Sequence, residues 1–521
     1  MKEFVARLLD DGVLASPDLL DLHSSDTPAL SSLRQLRGMV TVLNRDVVTL
    51  ISQGFRDVDW LEFDKMRVVM ERDGRKQPYQ QFLHAVAPTF QRSSTSSSSD
   101  PVRVVRSFLP EEKKISIKNF VSTFRSRYEF LRKILQARSE LQSVSSLHRL
   151  GRNGVTGDIS AIGLVYNKLV TKQGNILLSL EDATGFVKVL VNKNSRELYQ
   201  LAETVCLDEV IGVVGTLRDS FIFAKNILFP EVFNTAEKRC PDDVYAAFIS
   251  DIHVGSTMFL EAEFRKFLRW LNGEEGDDAQ RQLGLKVKYL FVIGDSVDGV
   301  GVFPGQERHL TISDIREQYR VLATLFRELR QDITIILCPG QHDAVRVAEP
   351  QPMLDKDFAG ALWELPNIIF VSNPSLVTIN ATQDFEGYHI LLYHGASFHY
   401  YIDGVSQLRE QKARDNPSFI LKFLLQKRHL APSYGSTVYV PTNHEDALVI
   451  SKVPDLFVCG DMHRSDISQY NGVVTVNCSC WQAKTDFQEK TGNNPDPCKV
   501  PLFHLQTRQI SIMGFAQNDA S

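Results

Sequence analysis

Beyond about residue 243 the chain repeats one construction: a short apolar run, followed within a few residues by an acid or an imidazole. Residues 244–249 lead to Asp251 and His253, and residues 289–293 to Asp295 and Asp298. Residues 333–337 lead to Gln341, His342 and Asp343, residues 389–393 to His394, and residues 456–459 to Asp461 and His463. Apolar runs this short, broken by Gly and polar residues, read as strands buried on both faces. With a further strand over 473–477 and helices predicted over 259–272, 312–330 and 355–364, the pattern is α/β, and function belongs at the strand ends.

A carboxylate directly after a strand is both fixed and exposed. Two divalent metals about 3.5–4 Å apart need a bridging anion and hard oxygen or imidazole donors on each side. Asp295 is the predicted bridge. Asp251 and His253 converge if their loop curls past the strand end, and His394 and His463 close the cage. His342 is placed to protonate a leaving oxygen or stabilise a transition state. Asp298 and Asp343 are predicted to organise loops and orient histidines. A lone His after a strand is usually a packing residue and a lone Gly-Asp usually a turn. Five such segments in one α/β stretch point instead to a metal site and to metal-activated water attacking a phosphate ester. His309, His389, His399, His429 and His444 lack this context and read as structural or surface groups, with His399, Tyr400 and Tyr401 as candidates for the entrance.

The rest of the chain divides by pattern. A length of 521 residues suggests about three or four domains. Residues 1–90 carry apolar positions at helical spacing, as in Phe4, Leu8 and Leu9, and read as a small helical domain whose start is an amphipathic helix rather than a signal peptide. Residues 91–115, with the serine run 93–99, read as a linker. Residues 116–150 hold a connecting helix with Phe120, Phe124, Tyr128, Leu131 and Leu135 on one face. Its other face carries Lys118, Arg125, Arg127, Arg132, Lys133 and Arg138. Residues 151–240 change to period two, with a hairpin turn at 181–185, and fit a five-stranded barrel of the oligonucleotide-binding type. Residues 241–515 are the α/β domain. The net charge of -5 gives no global nucleic-acid signature, so DNA contacts must be local. Arg125 and Arg132 on the helix and Arg346 beyond the third motif are the candidates. No apolar run approaches the roughly 20 residues that span a bilayer. Seven scattered cysteines argue for a reducing interior, and Cys478 and Cys480 read as buried thiols.

The motifs resemble those of the calcineurin-like metallophosphoesterases, which include the double-strand-break repair nucleases. Within that superfamily, residues 248–256, 294–307, 339–346, 349–352, 428–435 and 481–488 look like the small subunit of the archaeal family D DNA polymerase. The resemblance runs from about residue 115 to 505. It implies a multidomain α/β protein with a small N-terminal helical domain, an OB-type β-barrel and a C-terminal calcineurin-like phosphoesterase sandwich. It implies 3′–5′ exonuclease proofreading of DNA carrying a 3′ end, alongside a large catalytic polymerase subunit in a heterodimer or higher assembly. Segments 400–440 and 484–500 are candidates for gripping that subunit, and residues 1–90 for tethering other replication factors. The setting it implies is cytoplasmic and nucleoid-associated, with no membrane. By the resemblance one metal takes Asp251, His253, Asp295 and His463, and the other takes Asp295, Gln341, His394 and Asp461, with His342 as the catalytic histidine. The implied cofactor is two divalent ions, manganese first and magnesium second. Gln341 stands where the family usually has Asn, and Asp461 where it usually has His. Both departures fall on the same metal. These departures favour one other reading, a catalytically weakened scaffold subunit; a second alternative, a stand-alone metal-dependent phosphoesterase, is opposed by the barrel, the basic helix and the extent of the resemblance.

Overall fold

In a computed structural model, the described residues are 101–516 apart from 110–113, 142–143, 151–155, 234–236 and 443–444. Two short parallel strands, Leu14–Ala15 and Val42–Leu43, are described as well. The chain divides into two units, Met1–Arg103 and Val104–Ser521. Apart from those two strands, residues 1–90, read as helical, lie outside the described residues, as does His444, read as a structural or surface group. Within the stretch read as linker, Val102–Arg106 forms a strand, β1.

Period-two residues from 157 onward close into a five-stranded barrel. Its strands are β2 (Gly157–Val170), β3 (Ile176–Asp182), β4 (Gly185–Val191), β5 (Val210–Arg218) and β6 (Phe221–Leu228), in the order β2-β3-β4-β6-β5. The β3–β4 turn is tight because Asp182 Oδ1 accepts from the backbone N–H of both Thr184 and Gly185, at 2.7 and 2.9 Å, as an Asx turn does. Leu178, Leu180, Val187, Val189 and Val213 fill the interior, and alternate residues face out. Tyr166 and Phe186 are exposed.

The α/β region holds two six-stranded sheets. The first contains β7 (Tyr245–Ile249), β8 (Val287–Ile293), β9 (Thr334–Cys338) and β10 (Ile368–Phe370) in parallel. It is extended on the other side by antiparallel β16 (Lys499–His504) and β17 (Ile510–Gly514). The second runs β14 (Asp466–Tyr470), β15 (Val473–Asn477), β13 (Leu456–Cys459), β12 (Tyr388–Tyr393), β11 (Ser375–Ile379), β1. Sequence reading missed β10, β11, β14, β16 and β17, which lie at or beside sheet edges where the apolar signal is weakest. Helices Glu261–Leu271 and Ile315–Arg327 bury Phe264, Phe267, Leu322 and Phe326 against the first sheet. Helix Ser418–Lys427, which periodicity did not single out, packs over the second, with its Phe423 against Tyr401. All four residues of β13 and all six of β12 are buried, which is why their sequences are almost wholly apolar; the exception, His389, lies 2.8 Å through Nδ1 from Thr378 Oγ1.

Helix α1 (Ile117–Gln136) joins barrel to sandwich. It buries Thr123, Arg127, Leu131 and Leu135. Arg127 therefore leaves the basic face on which the helical pattern placed it. Its Nε lies 2.6 Å from Asp446 Oδ2, and its Nη1 donates to Pro432 O at 2.6 Å and Asp208 O at 3.0 Å. Asp208 belongs to the barrel connection, while Pro432 and Asp446 belong to the sandwich side. A second buried pair, Lys427 with Glu209 at 3.0 Å, crosses the same junction. A guanidinium can be buried when every direction it donates in meets an acceptor.

Candidate metal centre

The five segments predicted from sequence meet at the carboxyl ends of β7, β8, β9, β12 and β13, drawn from both sheets. The backbone must bend sharply to turn each side chain inward. Asp251, His253, Asp295, Asp461 and His463 all have positive φ, between 48° and 67°. Non-glycine residues hold that left-handed conformation only where the surrounding structure compels it, at a cost of about 1–3 kcal/mol each. Two glycines permit the crowding. A Cβ on Gly294 would lie 2.3 Å from His394 Nδ1, and one on Gly340 would lie 2.2 Å from Asp295 Oδ1. Any side chain there would displace a site residue.

Three sets of donors converge, each with its atoms within 4.8 Å of one another: Asp251, His253 and His463; Asp251, Asp295 and His394; and His253, Asp298 and His342. Asp251 is common to the first two sets, and Asp295, the predicted bridge, joins it in the second. Its Oδ1 lies 3.2 Å from His463 Nε2 and 3.9 Å from both His253 Nε2 and His394 Nε2. Asp295 Oδ2 lies 3.2 Å from His394 Nε2, and its Oδ1 accepts from the backbone N–H of His342 at 2.8 Å.

The histidines are oriented alike. His253 Nδ1 faces Asp298 Oδ1 at 3.1 Å, His342 Nδ1 donates to Asp298 O at 2.7 Å, and His394 Nδ1 donates to Ile293 O at 2.8 Å. Each then keeps Nε2 for the centre, the arrangement usual for metal-binding imidazoles. His463 is held by Gln488, 2.9 Å from its Nδ1. Asp343 faces away from the centre. It accepts from Ser296 Oγ at 2.5 Å, Tyr319 OH at 3.0 Å and Gly340 N at 2.9 Å, which fixes the two loops carrying Asp295 and His342. Asp298 also accepts from Gln306 and Gln482.

The donor set fits a cation. Asp251 Oδ1, His394 Nε2 and Asp461 Oδ2 are buried and make no well-directed hydrogen bond, meeting only facing imidazoles or carboxylates at 3.2 to 3.9 Å, a state that costs free energy unless something else satisfies them. Burial opposes ionisation of Asp251 and Asp295, yet the neighbouring imidazoles outweigh it and hold both carboxyls below the usual range. Burial likewise opposes charge on His394 and His463, but the facing Asp295 and Asp251 lift His394, and Cys480 with Asp251 lifts His463, well above an ordinary imidazole. Without a cation, protons on these histidines supply the counter-charge; a divalent ion would take their place. Asp461 differs. Burial raises its pKa, and the charges of Asp251 and Asp295 add to the effect.

Gln341 and Asp461 meet each other: Gln341 Nε2 donates to Asp461 Oδ1 at 2.6 Å. His399 stands 3.6 Å from Asp461 Oδ2 with its side chain 45% exposed, at the entrance. Sequence reading used residues 349–352 for the resemblance but gave no role to Glu349, which is fully buried and whose carboxyl accepts from Tyr393 OH at 3.1 Å beside His394. Burial pushes that carboxyl up to about 7. Sequence reading likewise gave no role to Ser250, which donates to Asp251 Oδ2, or to Asn373, which accepts from His394 N at 2.9 Å. Their residue types are too common in loops to signal a site. The arginines offered as DNA contacts are not brought to the centre. Arg346 donates to Ala348 O and Pro350 O within its own loop. On α1, Arg125 is exposed and Arg132 pairs with Glu129 at 3.4 Å.

A two-sheet α/β protein with a barrel ahead of it and imidazole–carboxylate clusters at the strand ends defines a class, and known proteins narrow it. The family of DNA polymerase alpha/epsilon B subunits matches residues 246–468. The DNA polymerase II small subunit of Methanothermobacter thermautotrophicus is 39% identical over 74% of this chain and 78% of its own. That of Archaeoglobus fulgidus is 38% identical over 74% and 75%, and that of Halobacterium salinarum 37% over 76% and 75%. The chain belongs to this family, the small subunits of the archaeal family D DNA polymerase.

Proposed function

We propose that this chain is the proofreading subunit of a two-subunit DNA polymerase, removing nucleotides from a DNA 3′ end and supporting a large catalytic subunit. The observation that carries the reading is the convergence of Asp251, Asp295, His253, His394 and His463 around buried donor atoms left without well-directed hydrogen bonds. On this reading residues 151–240 are an OB-type barrel, residues 241–515 a calcineurin-like phosphoesterase, and residues 116–150 the helical connection between them.

Asp251, His253, Asp295 and His463 would hold one divalent ion, and Asp295, His394, Gln341 and Asp461 the other, manganese being the first choice and magnesium the second. When bound, such ions neutralise phosphate charge and make water a nucleophile near neutral pH. The chain itself does the rest. Asp298 and Asp343 keep His253 and the loops in register. His342, half-buried at the rim and tied through Nδ1 to Asp298 O, presents Nε2 to the phosphate. From there it stabilises the charge that develops on phosphate oxygens or gives its proton to the leaving 3′ oxygen.

The Gln341–Asp461 hydrogen bond favours a second reading. The two side chains that depart from the family pattern satisfy each other, so the second ion could be lost and the chain serve chiefly as a scaffold. Digestion of 5′-labelled single-stranded DNA with manganese decides between them, using the purified chain alone and with its large subunit, and Asp295→Ala as the control. A 3′-shortening ladder that Asp295→Ala abolishes is the expected result. No cleavage by either form, with a stable two-subunit complex, would leave the scaffold reading.

A further inference from the structure

Directly after Asp298 the chain runs through Gly299-Val-Gly-Val-Phe-Pro-Gly305, a stretch with no charged residue. Three large apolar side chains in it face solvent: Val300 is 48% exposed, Val302 41% and Phe303 43%. Exposed apolar side chains at neighbouring positions usually mark a binding surface. This loop is also fastened to the candidate metal centre. Gln306, only 1% exposed, donates to Asp298 O at 2.8 Å and to Asp298 Oδ2 at 3.0 Å, and accepts from Val302 N at 2.9 Å. At Gly299, φ is 76°, and a Cβ there would fall 2.3 Å from His342 O and 2.8 Å from Val302 Cγ2. The loop's root is thus pressed against the His342 backbone, and the residue that anchors the loop also holds Asp298.

We propose that Phe303, flanked by Val300 and Val302, is the platform on which the unpaired 3′-terminal base of a single-stranded DNA stacks while its phosphodiester lies at the metal centre. The inference rests on the nuclease reading above. Three features select this occupant. A nucleobase face is apolar and aromatic, and stacking on a phenyl ring tolerates every base. From Gly299 to Gln306 the loop carries no carboxylate of its own, and the exposed Glu307 that follows is offset by its neighbour Arg308. The anchoring by Gln306 fixes the platform relative to His342, so a stacked terminal base would set the reach of the adjoining phosphate. A paired 3′ nucleotide is held in the duplex by its partner and must fray before its phosphodiester can reach the centre with its base on Phe303, so the platform favours frayed or mispaired ends.

The test uses the full chain and a Phe303→Ala variant. An oligonucleotide carrying 2-aminopurine at its 3′ terminus is titrated in EDTA, where no cleavage occurs. Wild type is expected to quench the terminal fluorophore. Phe303→Ala should lose the quench and bind about tenfold more weakly, and Phe303→Trp should restore both. With manganese, Phe303→Ala should raise KM for single-stranded DNA to a similar degree and leave hydrolysis of bis(4-nitrophenyl) phosphate unchanged. Unaltered quenching and KM in Phe303→Ala would overturn the proposal. So would an equal loss on DNA and on the small ester, or intact DNA binding with a weakened complex to the large polymerase chain. A wild type that quenches through Phe303 but cuts neither substrate would support the platform and overturn the nuclease reading instead.

Discussion

At the scale of single residues, the site combines strain with unmet polarity. Five inward-turned side chains hold left-handed backbone, and at Gly294 and Gly340 even a methyl group would strike the site. His342→Ala removes an imidazole bonded through Nδ1 to a backbone carbonyl and leaves the metal-type donors in place. It should therefore keep its bound manganese, read by elemental analysis, and lose cleavage by about 100-fold or more. A fall in metal content matching the fall in rate would assign His342 to metal holding instead. Glu349 makes a separate prediction about stability. Its folded carboxyl keeps a proton up to about pH 7, against 4.5 for the unfolded side chain. The native state therefore loses stability as pH rises from about 4.5 through 7, and the loss is complete above that. Glu349→Gln keeps an acceptor for Tyr393 OH and removes the titration. Relative to wild type it should gain on the order of 2 kcal/mol between pH 5 and pH 8 in denaturant melts of chelator-treated protein. A constant difference across that range would show that Glu349 does not titrate there.

At the scale of elements, α1 was legible as amphipathic, but the part played by its charges was not. Helical spacing put Arg127 among the solvated residues; contacts more than 300 positions away bury it against Asp446 and Pro432. Burial opposes charge on Asp446, but Arg127 and His429 outweigh it and hold the carboxyl well below the usual range. His429 is pushed down to about 4 by burial, with Arg127 adding to the effect. Arg127→Ala would strand a buried carboxylate and two backbone carbonyls, at a cost of about 3–5 kcal/mol. Because the depressed pKa of Asp446 contributes stability above its unfolded value and loses it as pH falls, the deficit should shrink in acid. Since that loss sets in only below the unfolded value of 3.8, urea melts at pH 7 and at about pH 2.5 would check both points, and an Arg127→Ala chain as stable as wild type at pH 7 would refute the clamp. The exposed members of that face, such as Arg125, carry no such penalty.

At the scale of the whole molecule, the centre draws ligands from both sheets, so binding a cation there ties the halves of the sandwich together. Anything that binds only the native state stabilises it by mass action, by about 2.7 kcal/mol at a hundredfold excess over Kd. Manganese added to chelator-treated wild type should raise Tm by a few degrees, and Asp295→Ala should show no rise. An equal rise in both proteins would place the ion elsewhere. No helix among the described residues is long and apolar enough to cross a membrane.

The sequence by itself determined the strand–helix alternation, the barrel's period-two pattern and the identity of the polar residues after each strand, because those depend on local periodicity and on side-chain chemistry. It also carried the family, through motifs dense enough to recognise. What it could not supply is distance between residues far apart in the chain. Only the tertiary structure decided that Asp251 lies where two donor groups overlap, that Gln341 and Asp461 bond to each other across 120 positions, that Arg127 is buried, and that the Val300–Phe303 loop is pinned beside His342. Each of these depends on two sheets packing with their strand ends together, and hydrophobic burial drives that packing without leaving a local mark on the residues it brings into contact.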